Sequence, residues 1–257
     1  MNNIFVEGVY EDLPFSKYNE IPAYRASDLK QAIKCIYTWE NQERKETPAL
    51  LEGSVQHTVF LEHHNFDNEF VIEPKFDKRT KAGKADYQDF IETIGDRTPI
   101  TQTMYDTCMD RREVVKDYIP GDQDRVELTI CFTWNNEPFK SRIDWHNGDR
   151  PWDFKTCREA SPRGFRNAIN TYGYHMQAAL YVDACLSAGL EANGFSFLAQ
   201  EKAHPYAYAV YEMSGEALEY GRARNVQALN MIKMARTKKL LPFNLDGPQE
   251  IKVDDLW

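Results

Sequence analysis

The segment FKSRIDWHNGDRPWDFKT, residues 139–156, decides how this 257-residue chain folds. Apolar and polar side chains alternate from Phe139 to Trp145, and the alternation resumes from Trp152 to Thr156. Between the two runs, the tripeptide Asn-Gly-Asp at 147–149 favours a tight turn. We therefore predict a β-hairpin over this segment.

Three charged residues, Asp144, Asp153 and Lys155, fall inside the predicted strands, where charge is costly. Because side chains alternate faces along a strand, Asp153 and Lys155 point the same way while Phe154 turns into the core. Asp144 ends the first strand and can lie close to Asp153. Two carboxylates, the carbonyl of Phe154 and an ammonium suit a hard divalent cation with an attacking water. The alternative is a surface hairpin with an Asp–Lys pair, since D-x-K triplets are common by chance.

Four ordered elements resemble one family. Asp144 followed by Asp153-Phe154-Lys155 resembles the D…(D/E)-x-K core of the PD-(D/E)XK nuclease superfamily. The segments 53–57 (GSVQH) and 177–181 (QAALY) match the G-x-x-x-H and Q-x-x-x-Y elements of its RecB-type branch. From about residue 27 to about residue 213, the chain is similar to the nuclease domain of RecE-type exodeoxyribonucleases.

The resemblance implies an α/β fold, a mixed central β-sheet flanked by α-helices. It also implies a single nuclease domain over residues 1–257. Within that domain we expect a mainly helical part at 1–120, the catalytic core at 121–213, and a C-terminal helix and tail at 214–257.

The same resemblance implies the roles of the site residues. Asp144, Asp153, His57 and the carbonyl of Phe154 would hold Mg²⁺, for which Mn²⁺ is able to substitute. Lys155 would orient or activate the attacking water.

Gln177 and Tyr181 lie four residues apart and share a helix face, from which they would hold the DNA backbone and orient Lys155. Without the resemblance, His57 on an apolar helix face would be a core residue. Glu127 either assists the metal site or faces outward.

Two basic groups are candidate DNA contacts. Arg25, Ser27 and Lys30 gather at a predicted helix start, where backbone N–H groups favour anions. Arg79, Lys81 and Lys84 lie among aromatic residues in the most basic stretch of the chain, a composition that suits phosphate contact and base stacking. The alternatives are a capped surface helix for the first group and a solvated loop for the second.

Composition narrows the class of protein. A chain with 42% hydrophobic and 28% charged residues is typical of a soluble globular protein. No apolar run approaches the roughly 20 residues that span a bilayer, and the N-terminus lacks the pattern of a signal peptide. We therefore expect a cytoplasmic protein with no membrane partner. Five scattered cysteines without a C-x-x-C pair argue against a zinc site or a disulfide framework. The resemblance also argues against an iron–sulfur cluster, because iron–sulfur members of the superfamily use three cysteines after the core and none follows Cys185.

The predicted function is that of a Mg²⁺-dependent exonuclease. By the resemblance, it would resect double-stranded DNA ends from 5′ to 3′ as a homo-oligomeric ring and pass the exposed strand to a RecT-type annealing protein for recombination. The net charge of −9 argues against a basic coat but allows a basic channel. The alternatives are an endonuclease or nickase on the same core, an inactive DNA- or protein-binding module, and an acidic inhibitor that mimics DNA.

Several local predictions accompany this fold. Residues 1–24 are expected to be an extended lead-in. A helix is predicted from Asp28 to about Trp39 with Ser27 as its N-cap, and one continuous helix from about Pro162 to Ala188. Gly53, inside a predicted helix at about 47–61, is expected to be required by close packing.

Overall fold

The computed structural model describes residues 5–41 and 47–237. The helices are α1 Phe15–Glu20, α2 Ala26–Ala32, α3 Ile36–Glu40, α4 Pro48–Leu61, α5 Phe66–Glu69, α6 Lys81–Thr93, α7 Gln102–Val114, α8 Pro162–Tyr172, α9 Tyr174–Ser187 and α10 Gly215–Ala235. The strands are β1 Gly8–Tyr10, β2 Phe70–Ile72, β3 Thr98–Ile100, β4 Arg125–Trp134, β5 Glu137–His146, β6 Pro151–Cys157, β7 Ser196–Glu201 and β8 Tyr208–Glu212.

A six-stranded sheet runs through the centre in the order β1-β4-β5-β6-β7-β8. Strands β6 and β7 are parallel, whereas the other neighbouring pairs are antiparallel. Strands β2 and β3 form a separate parallel pair. The predicted α/β fold with a mixed central sheet flanked by helices is confirmed.

The predicted hairpin is also confirmed, with an unexpected feature. Strands β5 and β6 pair only at Trp145 with Trp152 and at His146 with Pro151. Beyond these two pairs β6 leaves β5 and runs beside β7 as far as Cys157. The two strands therefore part just where Asp144 and Asp153 lie.

Helices cover both faces of the sheet. On one face, α9 and α10 pack on Leu128 and Ile143 of the central strands, and α9 contributes Leu180 to that core. On the other face, the ring of Phe60 in α4 stacks on the ring of Phe154 in β6, with centroids 4.4 Å apart. Because successive strand residues face opposite ways, Asp153 lies on the α9 side and Phe154 on the α4 side.

The first helix prediction was wrong in its start and its length. Helix α2 begins at Ala26 rather than Asp28, and Arg25, not Ser27, is its N-cap residue. The carboxylate of Asp28 accepts a hydrogen bond from the backbone N–H of Arg25 at 3.0 Å, and this contact fixes the earlier start. The chain then leaves the helix before α3 begins at Ile36.

The continuous helix predicted from Pro162 was also wrong. Gly173 adopts a left-handed conformation with φ of +66°, which ends α8 and begins α9. The expected lead-in before residue 24 instead contains β1 and α1, because β1 pairs with β4 from Gly8 to Tyr10. The predicted tail after residue 237 lies outside the described residues.

Gly53 does not have the packing role predicted for it, because a Cβ atom at this position would meet no heavy atom within 4 Å. Gly221 of α10 has that role instead, since a Cβ there would lie 2.2 Å from the carbonyl oxygen of His175. Among the helices of the described residues, none has the length and apolar character needed to cross a membrane.

The two glycines predict opposite effects on stability. Gly221→Ala forces α10 away from α9 and should lower the free energy of unfolding by about 2–3 kcal/mol. Gly53→Ala removes backbone freedom from the unfolded chain without a clash, so it should raise that free energy by about 0.5–1 kcal/mol. Urea denaturation of both variants measures the difference. Equal effects at the two positions would contradict this account of helix packing.

Candidate active site

The candidate site lies where β5 and β6 part. Asp144, near the end of β5, is 7% exposed, and its Oδ2 atom accepts a hydrogen bond from the backbone N–H of Phe154 at 2.6 Å. His57 of α4 reaches the same carboxylate, with Nε2 2.9 Å from Asp144 Oδ2. The other ring nitrogen, Nδ1, lies 3.0 Å from Glu127 Oε1 of β4. One imidazole therefore bridges two carboxylates from neighbouring strands.

Glu127 is the feature that the sequence left open. It interrupts the regular backbone of β4 with a φ of +49°, a left-handed conformation that a glutamate rarely adopts. Regular pairing of β4 with β5 resumes on either side of it, at Val126 and Leu128. The residue is 9% exposed, so the outward-facing alternative is wrong. Backbone strain of this kind clusters at functional sites because the surrounding contacts impose it.

Arg142 forms an ion pair with Glu127 and fixes its carboxylate. Its Nε atom forms an ion pair with Glu127 Oε2, and its Nη1 atom donates to the backbone oxygen of Leu13 at 2.6 Å. Arg142 lies two residues before Asp144 on β5 and so shares its face of the strand. The spacing of Arg142 two residues before Asp144 could have indicated that Arg142 belongs to the site, but Arg142 was not predicted.

The three bridged residues fit a divalent cation. One ligand atom from each of His57, Glu127 and Asp144 lies within 4.8 Å of the other two. Two carboxylates and an imidazole form a donor set that Mg²⁺ and Mn²⁺ accept. This cluster contains His57 and Asp144 of the predicted ligands and adds Glu127.

The charges of these three groups shift one another's pKa values. Burial would lower the pKa of His57, but the Asp144 and Glu127 carboxylates raise it well above its usual 6.5. Burial raises the pKa of Asp144, but His57, Lys155 and the backbone N–H of Phe154 together lower it below its usual 3.8. The raised pKa of His57 favours an imidazolium beside the two carboxylates, and a cation bound there would compete with the His57 proton.

Asp153 lies on the other side of the gap and is fully buried. Its Oδ1 atom accepts a hydrogen bond from Gln177 Nε2 at 2.6 Å, and its Oδ2 atom pairs with the ammonium of Lys155. Burial and the nearby charge of Asp144 raise the pKa of Asp153 to about 6. Its carboxylate is thus engaged by protein donors in the metal-free state. Metal ligation by Asp153 and by the carbonyl of Phe154 stays a prediction.

The predicted helix residues differ in their contacts. Gln177 of α9 contacts Asp153, and its Oε1 atom also accepts a hydrogen bond from Lys30 Nζ at 3.0 Å. The ring of Tyr181 packs 6.2 Å from that of Phe195, and in the described part of the chain no hydrogen bond joins its hydroxyl to the carboxylates. Burial raises the pKa of Tyr181 well above 10.

Of the six predicted DNA-contact residues, Lys30 hydrogen-bonds a residue of the site. Arg25 instead forms an ion pair with Asp28 at 3.8 Å and donates to Asn19 at 3.3 Å. Ser27 lies in the first turn of α2.

The second basic group consists of Arg79, Lys81 and Lys84. Arg79 is 91% exposed and pairs with Asp77. Lys81 and Lys84 lie exposed in the first turn of α6. DNA binding by these residues stays a prediction.

A second buried network, which the sequence analysis missed, fixes α4 against the sheet. Arg111 of α7 donates to Glu52 Oε1 of α4 at 2.7 Å and to the backbone oxygen of Lys202 at 2.7 Å. Lys202 Nζ lies 3.5 Å from Glu52 Oε2, and Glu201 accepts from the backbone N–H of Ala160 at 2.9 Å. The contacts of Glu52 with Arg111 and Lys202 hold the helix that carries His57. No residue spacing predicts them, because they join distant segments.

Comparisons with known proteins bear on the family and the fold of the chain. Residues 25–247 match the model of a family described as a PDDEXK-like domain of unknown function (DUF3799). A crystal structure from Eubacterium rectale, described as a "Putative exonuclease", has a TM-score of 0.58 at 14% identity, over 96% of this chain and 98% of that chain. At that identity the likeness shows the fold alone.

A second solved structure, SSO0001, has a TM-score of 0.32 at 11% identity over 83% of this chain and 87% of that chain. At that score, nothing about this chain follows from the likeness. A search of the curated proteins found no match.

Protons should compete with metal at this site. Because the pKa of Asp153 is about 6 and that of His57 is raised, the metal-binding forms are lost as pH falls. We expect Mn²⁺ affinity to fall by about tenfold per pH unit where the His57 proton alone competes, and more steeply below about pH 6, where Asp153 also binds a proton. Calorimetric titration from pH 5 to 8 measures this dependence, with Asp149→Asn on the hairpin turn as the control. A flat affinity over that range would contradict the assignment.

The metal-free protein should show the opposite dependence on pH. The folded-state pKa of Asp153, about 6, exceeds its usual 3.8, so the folded protein binds this proton more tightly than the unfolded chain does. Its contribution to stability is full below about pH 4 and lost as pH rises through 6. Asp153→Asn should therefore gain free energy of unfolding relative to wild type as the pH rises from 4 to 7.5. Urea denaturation in the presence of a chelator measures this difference. A pH-independent difference would refute this.

Proposed function

The chain belongs to the family of PDDEXK-like domains, and from this premise we propose that it hydrolyses DNA as a Mg²⁺-dependent exonuclease. The observation that carries the proposal is the convergence of His57, Glu127 and Asp144 beside the Asp153-Phe154-Lys155 triplet.

Three residues would hold the cation: Asp144, His57 and Glu127, with Asp153 joining them if it exchanges its protein donors for the metal. A bound Mg²⁺ supplies Lewis-acid stabilisation of the phosphate and lowers the pKa of its water. Arg142 and the backbone of Phe154 fix the two carboxylates in advance, so that little reorganisation is needed.

Lys155 acts in this proposal as a hydrogen-bond donor. Burial would lower the pKa of its ammonium, but Asp153 and Asp144 raise that pKa above 10.5. An ammonium that stays charged at neutral pH donates to the attacking water and to phosphate oxygens, where it offsets the charge that develops at phosphorus. This supports a role in which Lys155 orients the attacking water, rather than one in which Lys155 removes a proton from that water.

The finer parts of the proposal rest on the resemblance to RecE-type exonucleases. The substrate would be an end of double-stranded DNA, digested from 5′ to 3′ by a homo-oligomeric ring, and the product strand would pass to a RecT-type annealing protein. A ring accommodates the net charge of −9, since basic residues need only line its channel. Native mass spectrometry tests the ring independently of activity.

Digestion of linear duplex DNA tests the activity. With Mg²⁺, the wild type should shorten the 5′ strand progressively, and 5′-phosphorylated and unphosphorylated ends reveal any end preference. Lys155→Met and Asp144→Asn should each lose at least about a hundredfold in kcat, because each removes charge stabilisation from the reacting phosphate. Lys34→Met, which removes an ammonium that donates to the backbone oxygen of Thr171, is the matched control.

The other outcomes are equally informative. Cutting of closed circular DNA would favour the endonuclease or nickase. No digestion with any divalent metal, together with unimpaired DNA binding, would favour an inactive binding module.

A further inference from the structure

A chain of polar contacts runs from Lys30 into the site. Lys30 Nζ donates to Gln177 Oε1 at 3.0 Å, and Gln177 Nε2 donates to Asp153 Oδ1 at 2.6 Å. The chain ends at Lys155, which pairs with the other oxygen of Asp153. It joins α2, α9 and β6, and it links residues that lie 147 positions apart in the sequence.

We propose that Lys30 is a positioning residue that orients the Gln177 amide so that its NH₂ group donates to Asp153. The inference rests on the proposed function and deepens it, because it assigns Lys30 to the geometry of the reacting site rather than to DNA.

The argument begins with the chemistry of the amide. A glutamine side chain carries an acceptor and a donor that can exchange places when the amide rotates by about 180°. An ammonium only donates and a carboxylate only accepts. With Lys30 on one side and Asp153 on the other, a single amide orientation satisfies both neighbours. Both hydrogen bonds also involve a charged group, which makes them stronger than bonds between neutral groups.

The position of Lys30 is itself fixed by its surroundings. A Cβ atom at Gly173 would lie 3.1 Å from Lys30 Cγ and 3.2 Å from Cδ, so the glycine between α8 and α9 leaves room for the lysine stem. The ammonium lies 5.7 Å from the centre of the Tyr174 ring. Lys155 approaches the same ring at 5.2 Å. Two lysines thus flank one aromatic ring at the start of α9.

Gln177 is the hydrogen-bonding partner of Lys30. Over residues 5–41 and 47–237, no carboxylate lies within 4.0 Å of its ammonium. Burial and the charge of Lys155 lower the pKa of Lys30 to about 8, and the opposing effect of the Asp153 charge is smaller. An ammonium kept in such a position is consistent with a role in the site rather than on the surface.

Three roles for Lys30 predict different results. A positioning role lowers kcat through Gln177 and leaves KM for DNA unchanged. Direct contact with a DNA phosphate raises KM and reduces the salt dependence of binding. A purely structural role lowers the melting temperature without changing the Gln177 amide.

The first readout needs no activity. In a ¹H–¹⁵N spectrum of the full chain, the Gln177 side-chain NH₂ signal is identified by its absence in Gln177→Leu. We expect this signal to shift in Lys30→Met, which keeps the aliphatic stem but removes the donor, and to stay in place in Lys34→Met. Lys30→Arg, which remains a pure donor, should largely restore it. If Lys30→Met does not fold, Lys30→Gln replaces it, because an amide at position 30 no longer imposes one orientation.

The second readout is a double-mutant cycle on kcat. Lys30→Met should lower kcat by about tenfold, as removal of a residue that orients a site group does. It should have no further effect when Gln177 is already leucine, because both changes disrupt one contact chain. An unmoved Gln177 signal, multiplicative losses in kcat, or a raised KM with a smaller salt dependence would each overturn the proposal. If the wild type cuts no DNA, the proposed function fails while the spectrum still decides the role of Lys30.

Discussion

The hydrogen bond from the backbone N–H of Phe154 to Asp144 is the contact on which the site depends. Where β5 and β6 part, they no longer pair with each other, and a buried N–H group without an acceptor costs free energy. The Asp144 carboxylate supplies that acceptor at 2.6 Å, so the N–H group of Phe154 is satisfied although β5 and β6 do not pair there. The gap lets Asp144 face α4 while Asp153 faces α9, so that helices from both sides of the sheet reach one place.

The buried carboxylates at this gap require nearby positive charge, and His57 and Lys155 supply it in different places. His57 bridges Asp144 and Glu127, and Lys155 neutralises Asp153. Burial and the charge of Asp144 raise the pKa of Asp153 to about 6, whereas His57, Lys155 and the backbone N–H of Phe154 lower the pKa of Asp144 despite its burial. The site is therefore less stable than an apolar packing would be, and a bound cation would relieve that cost.

The sequence predicted those parts of the fold that follow local rules. Period-two alternation identified β5 and β6, and the fixed spacing of the family motifs brought His57 and Gln177 to the same site. The break at Gly173 was missed because helical patterns continue on both sides of it. The left-handed backbone of Glu127 has no local signal, since β4 and β5 impose it. The contact between Lys30 and Gln177 joins segments that no spacing rule connects.

The central claim, that His57, Glu127 and Asp144 form a cation site, is tested most directly by anomalous diffraction from crystals soaked in Mn²⁺. We predict a manganese peak within coordination distance of His57 and Asp144, which is lost in Asp144→Asn. A peak elsewhere on the molecule, or no peak at a Mn²⁺ concentration that supports DNA cleavage, would contradict the account.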